Sequence, residues 1–150
     1  MEKRRDILRM VNNTEQLEIE ARTQTYDLVL CHADLHPGNT VIDGNGKLFI
    51  VDWDSPILAP REKDLMFIGG GHRFKHTDTH AFYNAYGEVK LNRQLIAYYR
   101  NERIVADIAV YADEILGGKG TAEDRETGLE LLMRQFEPGR EVEAALSSLS

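Results

Sequence analysis

The chain has 150 residues, 42% hydrophobic and 29% charged, with a formal net charge of −7 and a single cysteine. That length is one domain's worth, and the acidic balance argues against nucleic acid, which demands clustered Lys and Arg. One cysteine rules out an internal disulfide and fits a reducing cytoplasm; no apolar run nears the ~20 residues that span a bilayer, and no signal core follows Met1-Glu2-Lys3-Arg4-Arg5-Asp6.

The expected elements follow in chain order. Ile7, Leu8, Val11 and Leu17 predict an amphipathic helix from about Glu2 to Arg22, interrupted near Asn12-Asn13. Leu28-Val29-Leu30-Cys31 reads as a buried strand entering the loop His32-Ala33-Asp34-Leu35-His36-Pro37-Gly38-Asn39. Thr40-Val41-Ile42 and Lys47-Leu48-Phe49-Ile50-Val51 flank Asp43-Gly44-Asn45-Gly46, a strong hairpin signal. Asp64 to Ile68 reads as a short helix closed by Gly69-Gly70-Gly71. That glycine run lacks a leading strand and a following Lys-Ser/Thr, so it is no Walker loop. Thr77 or Asp78 caps a helix through Tyr86, ended by Gly87, and a long helix runs from Asn92 to Leu116. Thr121, with Asp124 three residues on, starts a further helix, and Pro138-Gly139 precedes a last one through Leu149.

The loop and hairpin carry the chemistry. Phosphoryl transfer needs a carboxylate beside the attacking hydroxyl, plus a carboxylate and an amide oxygen to hold magnesium on nucleotide phosphates. His32-x-Asp34-x4-Asn39, with Asp52 thirteen residues after Asn39, has the kinase catalytic-loop spacing. A hairpin that folds back brings Asp52, after its second strand, near Asn39 at the start of its first. The plain alternative is that Asp34 and Asn39 cap turns and Asp52 ends a strand.

Other residues have two readings each. His36 touches phosphate or stabilises the loop, and Asp54 serves substrate or a second magnesium, or is a solvated turn residue. Trp53 packs rather than stacks on nucleotide. Arg103 and Asp107, one helical turn apart, form either a routine surface pair or the wall of an acidic substrate pocket. His72, His76 and His80 recur every four residues and offer a rival metal cluster; His32, Asp34 and His36 offer a metallohydrolase site that leaves Asn39 and Asp52 unexplained. The acidic balance suits a cationic substrate, though it serves solubility equally well.

From Leu28 to about Gly71 the chain resembles the C-terminal lobe of the aminoglycoside phosphotransferase and choline kinase group. Val51-Asp52-Trp53-Asp54-Ser55-Pro56-Ile57-Leu58-Ala59-Pro60 and Asp64-Leu65-Met66-Phe67-Ile68-Gly69-Gly70-Gly71 are most similar to spectinomycin-type phosphotransferases. The resemblance implies an α+β, mainly α fold: a protein-kinase-like C-terminal lobe with a small catalytic β-hairpin. It divides into a leading helix over 1–27, catalytic loop and metal hairpin over 28–71, and a helical substrate-side subdomain over 72–150.

By the same resemblance Asp34 is the catalytic base, and Asn39 and Asp52 are magnesium ligands. Val41 and Val51 lie under the adenine of ATP, His32 is a structural loop residue, and Asp64 is a buried carboxylate steadying the loop. The acceptor is a small-molecule alcohol, such as a cationic aminoglycoside or aminocyclitol, and the activity one of antibiotic resistance. Residues before Leu28 contain no glycine, so the glycine-rich N-terminal lobe is expected to be absent. The chain would then be a truncation, a separate lobe or half of a split enzyme, with little turnover alone. The rival is a non-catalytic lobe that binds ligand, dimerises with a second copy, or complements a partner chain.

Overall fold

Helical spacing dominates the sequence, and helix dominates the structure, a computed structural model that describes residues 2–68, 76–117 and 120–148. The helices are α1 (Glu2–Arg22), α2 (Glu62–Leu65), α3 (His76–Tyr86), α4 (Arg93–Leu116), α5 (Ala122–Arg134) and α6 (Glu141–Ser147). Between α1 and α2 lie β1 (Val29–Cys31), a 3₁₀ turn (Pro37–Asn39), β2 (Thr40–Ile42), β3 (Leu48–Ile50) and β4 (Ile57–Ala59).

α4 is the organising element, packing against α1, α2, α5 and α6. Met10, Ile104, Ile108, Val142 and Ala145 form one buried cluster, with Ile7, Val105, Leu132, Phe136 and Leu146 around it. A second cluster joins Leu65, Met66 and Ile96, where α2 meets α4. Between them Asn101 is wholly buried, its Nδ2 donating to the carbonyls of Ala97 (2.9 Å) and Ala145 (3.1 Å).

α1 runs unbroken through Asn12 and Asn13, where an interruption was expected. Asparagine costs a helix only tenths of a kcal/mol, less than burying Met10 and Leu17 on either side gains. Asn92 caps α4 by accepting from Gln94 N (3.0 Å) and Leu95 N (3.3 Å), and Thr121 and Asp124 cap α5 reciprocally in the predicted capping box. α3 starts at His76, and Gly87, at φ 101°, adopts the left-handed conformation that stops it. The end expected for the last helix, Leu149, lies outside the described residues.

α2 is shorter and earlier than the expected Asp64–Ile68 helix. The Arg100 guanidinium takes the carbonyls of Met66 (2.8 Å) and Ile68 (2.9 Å), drawing them out of a continuing ladder. Buried Glu62 accepts from Asn92 N at 2.9 Å and pins α2 to the start of α4. The Gly69-Gly70-Gly71 stop lies outside the described residues.

The strands form two antiparallel ribbons. β2 and β3 pair as the predicted hairpin, Thr40 opposite Ile50 and Ile42 opposite Leu48. Asp43 Oδ1 accepts from Asn45 N (2.8 Å) and Lys47 N (2.9 Å), while Gly46 takes the positive φ of 81° that the turn requires. β1 pairs with β4, Cys31 opposite Ile57. Here the expectation of a buried strand fails: Cys31 is buried, but Leu28 and Leu30 are 58% and 66% exposed. With one neighbouring strand and no described element over its outer face, β1 buries only the end that meets Ala59 and Pro60. No helix among the described residues is long and apolar enough to cross a membrane.

Candidate functional site

The His32–Asn39 loop hangs from Asp64. Its two carboxylate oxygens accept the backbone N–H groups of His32 (2.9 Å) and Ala33 (2.8 Å), holding Ala33 at a φ of 72°. A non-glycine residue there carries about 1–2 kcal/mol of strain, so the loop's shape depends on charge-assisted bonds. Asp64 is half-buried, at the start of the segment that leads to Met66 and Phe67.

His32, buried at 2% exposure, is the hub. Its Nδ1 accepts from Asp34 N (3.3 Å) and its Nε2 donates to the carbonyl of Val51 (2.8 Å), which sets the tautomer. The Trp53 ring stands edge-on at 4.6 Å, and its Nε1 donates to Ile50 O at 3.1 Å. Trp53 thus packs on the loop. With both ring nitrogens engaged in the scaffold, His32 is unsuited to ligate a metal beside Asp34 and His36.

This scaffold brings three predicted residues together. Val51 N donates to Asn39 O (3.0 Å), so the hairpin returns Asp52 beside the start of β2. Asn39, 8% exposed, donates through Nδ2 to Asp34 O (2.9 Å) and Asp34 Oδ2 (3.4 Å). That leaves Asn39 Oδ1 as the atom a cation would take. Asp52 is exposed, and its φ of 66° is an unusual left-handed conformation for a non-glycine residue. Magnesium favours hard oxygen ligands and keeps several waters; one carboxylate, one amide oxygen and open solvent fit it.

The Asp34 carboxylate is flanked on both sides. His36 caps the 3₁₀ turn, its Nδ1 accepting from Gly38 N (2.9 Å), which leaves Nε2 3.6 Å from Asp34 Oδ2. A Cβ on Gly38 would stand 2.6 Å from the His36 ring, so a larger residue there would push the ring off this bond. On the other side Arg103 Nη1 donates to Asp34 Oδ1, while Arg103 Nε contacts Asp107 Oδ1 at 3.0 Å. The guanidinium lies over the Phe67 ring, 5.9 Å from its centroid.

Burial works against the Arg103 charge, but Asp107 and Asp34 outweigh it and hold the guanidinium above its ordinary value. Burial also raises Asp107, against the opposing pull of Arg103. Asp107 is thereby connected to Asp34 through Arg103. The Arg103–Asp107 spacing is legible in the sequence, but the reach of Arg103 to Asp34, 69 residues away, comes only from packing of α4 beside the loop.

The remaining candidates are looser. Val41 and Val51, on the hairpin, are 49% and 38% exposed. Asp54 is exposed two residues past Asp52, with no described contact tying it to the cluster. His72 and the His76 side chain lie outside the described residues, among which no group of three His, Cys, Asp or Glu could hold a metal.

Residues 2–104 match the family model described as the phosphotransferase enzyme family. Comparison with curated proteins finds no match. Among solved structures, spectinomycin phosphotransferase APH(9)-Ia in complex with ADP and spectinomycin is similar over 99% of this chain, at 37% identity and a TM-score of 0.88. The AMP-bound complex of the same phosphotransferase also covers 99% of this chain, at 36% identity and a TM-score of 0.84. The chain spans 46% of the length of each of those chains. Its mainly helical α+β fold, with two small antiparallel sheets, is that of a kinase-like phosphotransferase. The chain belongs to the phosphotransferase enzyme family.

Proposed function

We propose that this chain is the C-terminal, substrate-side lobe of an ATP-dependent phosphotransferase acting on an alcohol of an aminocyclitol or aminoglycoside. One observation carries the reading: Asp34, Asn39 and Asp52 are joined in one frame by the Asn39 Nδ2–Asp34 and Val51 N–Asn39 bonds. The ADP, AMP and spectinomycin of the similar structures support the choice of nucleotide and acceptor.

Asp34 accepts the acceptor's hydroxyl hydrogen and aims its oxygen at the γ-phosphorus; the bond to ADP breaks as the new one forms. Asn39 Oδ1 and the Asp52 carboxylate are the magnesium ligands. When bound, magnesium offsets the charge on the phosphate oxygens. The exposed valines 41 and 51 receive the adenine. An N-terminal lobe completes the nucleotide site, and residues 1–150 without one turn over little. The natural setting is the cytoplasm, where the buried, unpaired thiol of Cys31 stays reduced, and the activity confers antibiotic resistance.

Titration of the chain with ADP, with and without magnesium, tests the reading. Magnesium-dependent binding is expected, lost in Asp52→Asn and retained in Asp34→Asn, which abolishes any transfer. Equal binding by Asp52→Asn removes it as a ligand, and turnover by Asp34→Asn removes the base.

A second reading has its own support. Leu30, Ile42 and Leu58 are 66%, 68% and 70% exposed on the two ribbons, apolar side chains open to a partner surface. A non-catalytic lobe would cover that face with a second copy. A dimer by sedimentation, without magnesium-dependent ADP binding, favours this alternative.

A further inference from the structure

We propose that the cavity between α3, the first half of α4 and the end of α6 is a binding site for a phosphate group, held by Arg93 and Arg100. The cavity measures about 880 Å³, and its walls include Tyr83, Asn84, Glu88, Arg93, Arg100 and Ser147. That volume lies in the range of small-molecule sites, larger than a bare ion needs.

The charge pattern is what singles it out. In a chain of net charge −7, neither arginine has an ion-pair partner among the described residues. Arg100 is half-buried; its Nε and Nη2 are spent on the carbonyls of Met66 and Ile68, leaving Nη1 uncommitted. A partly buried guanidinium without a carboxylate is costly, and buried charges are normally paired. Burial accordingly pulls Arg100 below its ordinary value, against an opposing effect of Tyr83.

Rigidity and reach also fit. The two carbonyl bonds fix the Arg100 plane before any ligand arrives, so little side-chain freedom remains to be lost. Arg93 stands seven residues earlier on α4, two turns along the same face and about 10 Å away by helical rise. Two arginine side chains converge on one phosphate across that span, and planar guanidinium is the preferred partner of phosphate oxygens. The Tyr83 hydroxyl on the same wall adds a hydrogen-bond donor. Glu88 is the one carboxylate among the described wall residues, and it tempers the field.

The site is independent of the proposed phosphotransfer reading, so the test omits nucleotide and includes EDTA. The chain is titrated calorimetrically with inorganic phosphate, glycerol 3-phosphate and acetate at fixed ionic strength. Arg93→Gln and Glu88→Gln change exposed side chains that no described bond needs for folding. Saturable phosphate binding is expected, weakened about fivefold or more by Arg93→Gln and tightened about threefold by Glu88→Gln, as loss of one charge-assisted contact and one repulsion implies. Acetate, with one charge, binds at least about tenfold more weakly. Tighter binding of glycerol 3-phosphate assigns the cavity to a phosphomonoester, and equal binding to free phosphate. No saturable binding, acetate binding equal to phosphate, or indifference to both substitutions overturns the proposal.

Discussion

Removing the Asp64 carboxylate tests whether the loop that carries Asp34 is held by two hydrogen bonds. In Asp64→Ala the N–H groups of His32 and Ala33 lose acceptors at 2.9 and 2.8 Å. Bonds to a charged group contribute about 1.5–3 kcal/mol each, and half-exposure of Asp64 places them near the lower end, about 3 kcal/mol together. Ala33 can then leave its left-handed φ of 72°, recovering part of about 1–2 kcal/mol of strain. A net loss of about 2–3 kcal/mol follows, or about 4–12 °C in Tm for a domain of this size. Asp64→Asn falls between, because its amide turns a donor toward one of the two N–H groups.

Urea unfolding of the purified chain measures the loss. Trp53, the only tryptophan, reports on the place: it packs on the His32 ring, so its emission shifts to longer wavelength in the folded mutant as water reaches it. A loss below about 0.5 kcal/mol, ordinary for a surface substitution, with unchanged emission would refute the argument.

Asp52→Gly relieves a left-handed aspartate and is expected to raise stability by about 0.5–1 kcal/mol net of the glycine's chain entropy, while ending magnesium-dependent ADP binding; unfolding and titration on the same sample check the opposite signs. Burial raises Asp107 in the folded chain, so its contribution is present below the unfolded value near 3.8 and fades as pH rises through the raised one. Wild type should therefore lose stability relative to Asp107→Asn across that window, and a flat difference in urea midpoints from pH 3 to pH 7 would contradict it. Asp124 is lowered by its bonds to Thr121, so its contribution is full above the ordinary carboxylate range and lost as pH falls through the lowered value. Thr121→Ala should cost about 1 kcal/mol at neutral pH and flatten that acid limb, read by circular dichroism against pH. Arg103→Gln leaves Asp34 and Asp107 without their shared cation; on the function proposed above, calorimetric titration with spectinomycin should show binding changed at least about threefold, and unchanged binding would exclude Arg103 from acceptor recognition.

The sequence alone determined the features that depend on near neighbours. The hairpin follows from Asp43 and Gly46, the start of α4 from Asn92, the α5 capping box from Thr121 and Asp124, and the nearness of Asn39 to Asp52 from chain return through a short turn. Each rests on contacts within a few residues or across one hairpin, where local stereochemistry decides. The uninterrupted α1 is the exception, since its asparagines were overruled by tertiary burial of Met10 and Leu17. Distant partners were legible only from the folded chain. β4 was hidden because a three-residue strand has no periodicity to read, and its pairing with β1 closes 28 residues of chain. The bonds of Arg103 to Asp34 and of Arg100 to Met66 and Ile68 depend on where α4 lies against the 64–68 segment. That placement comes from non-directional apolar burial summed over two clusters, which composition permits but no motif encodes.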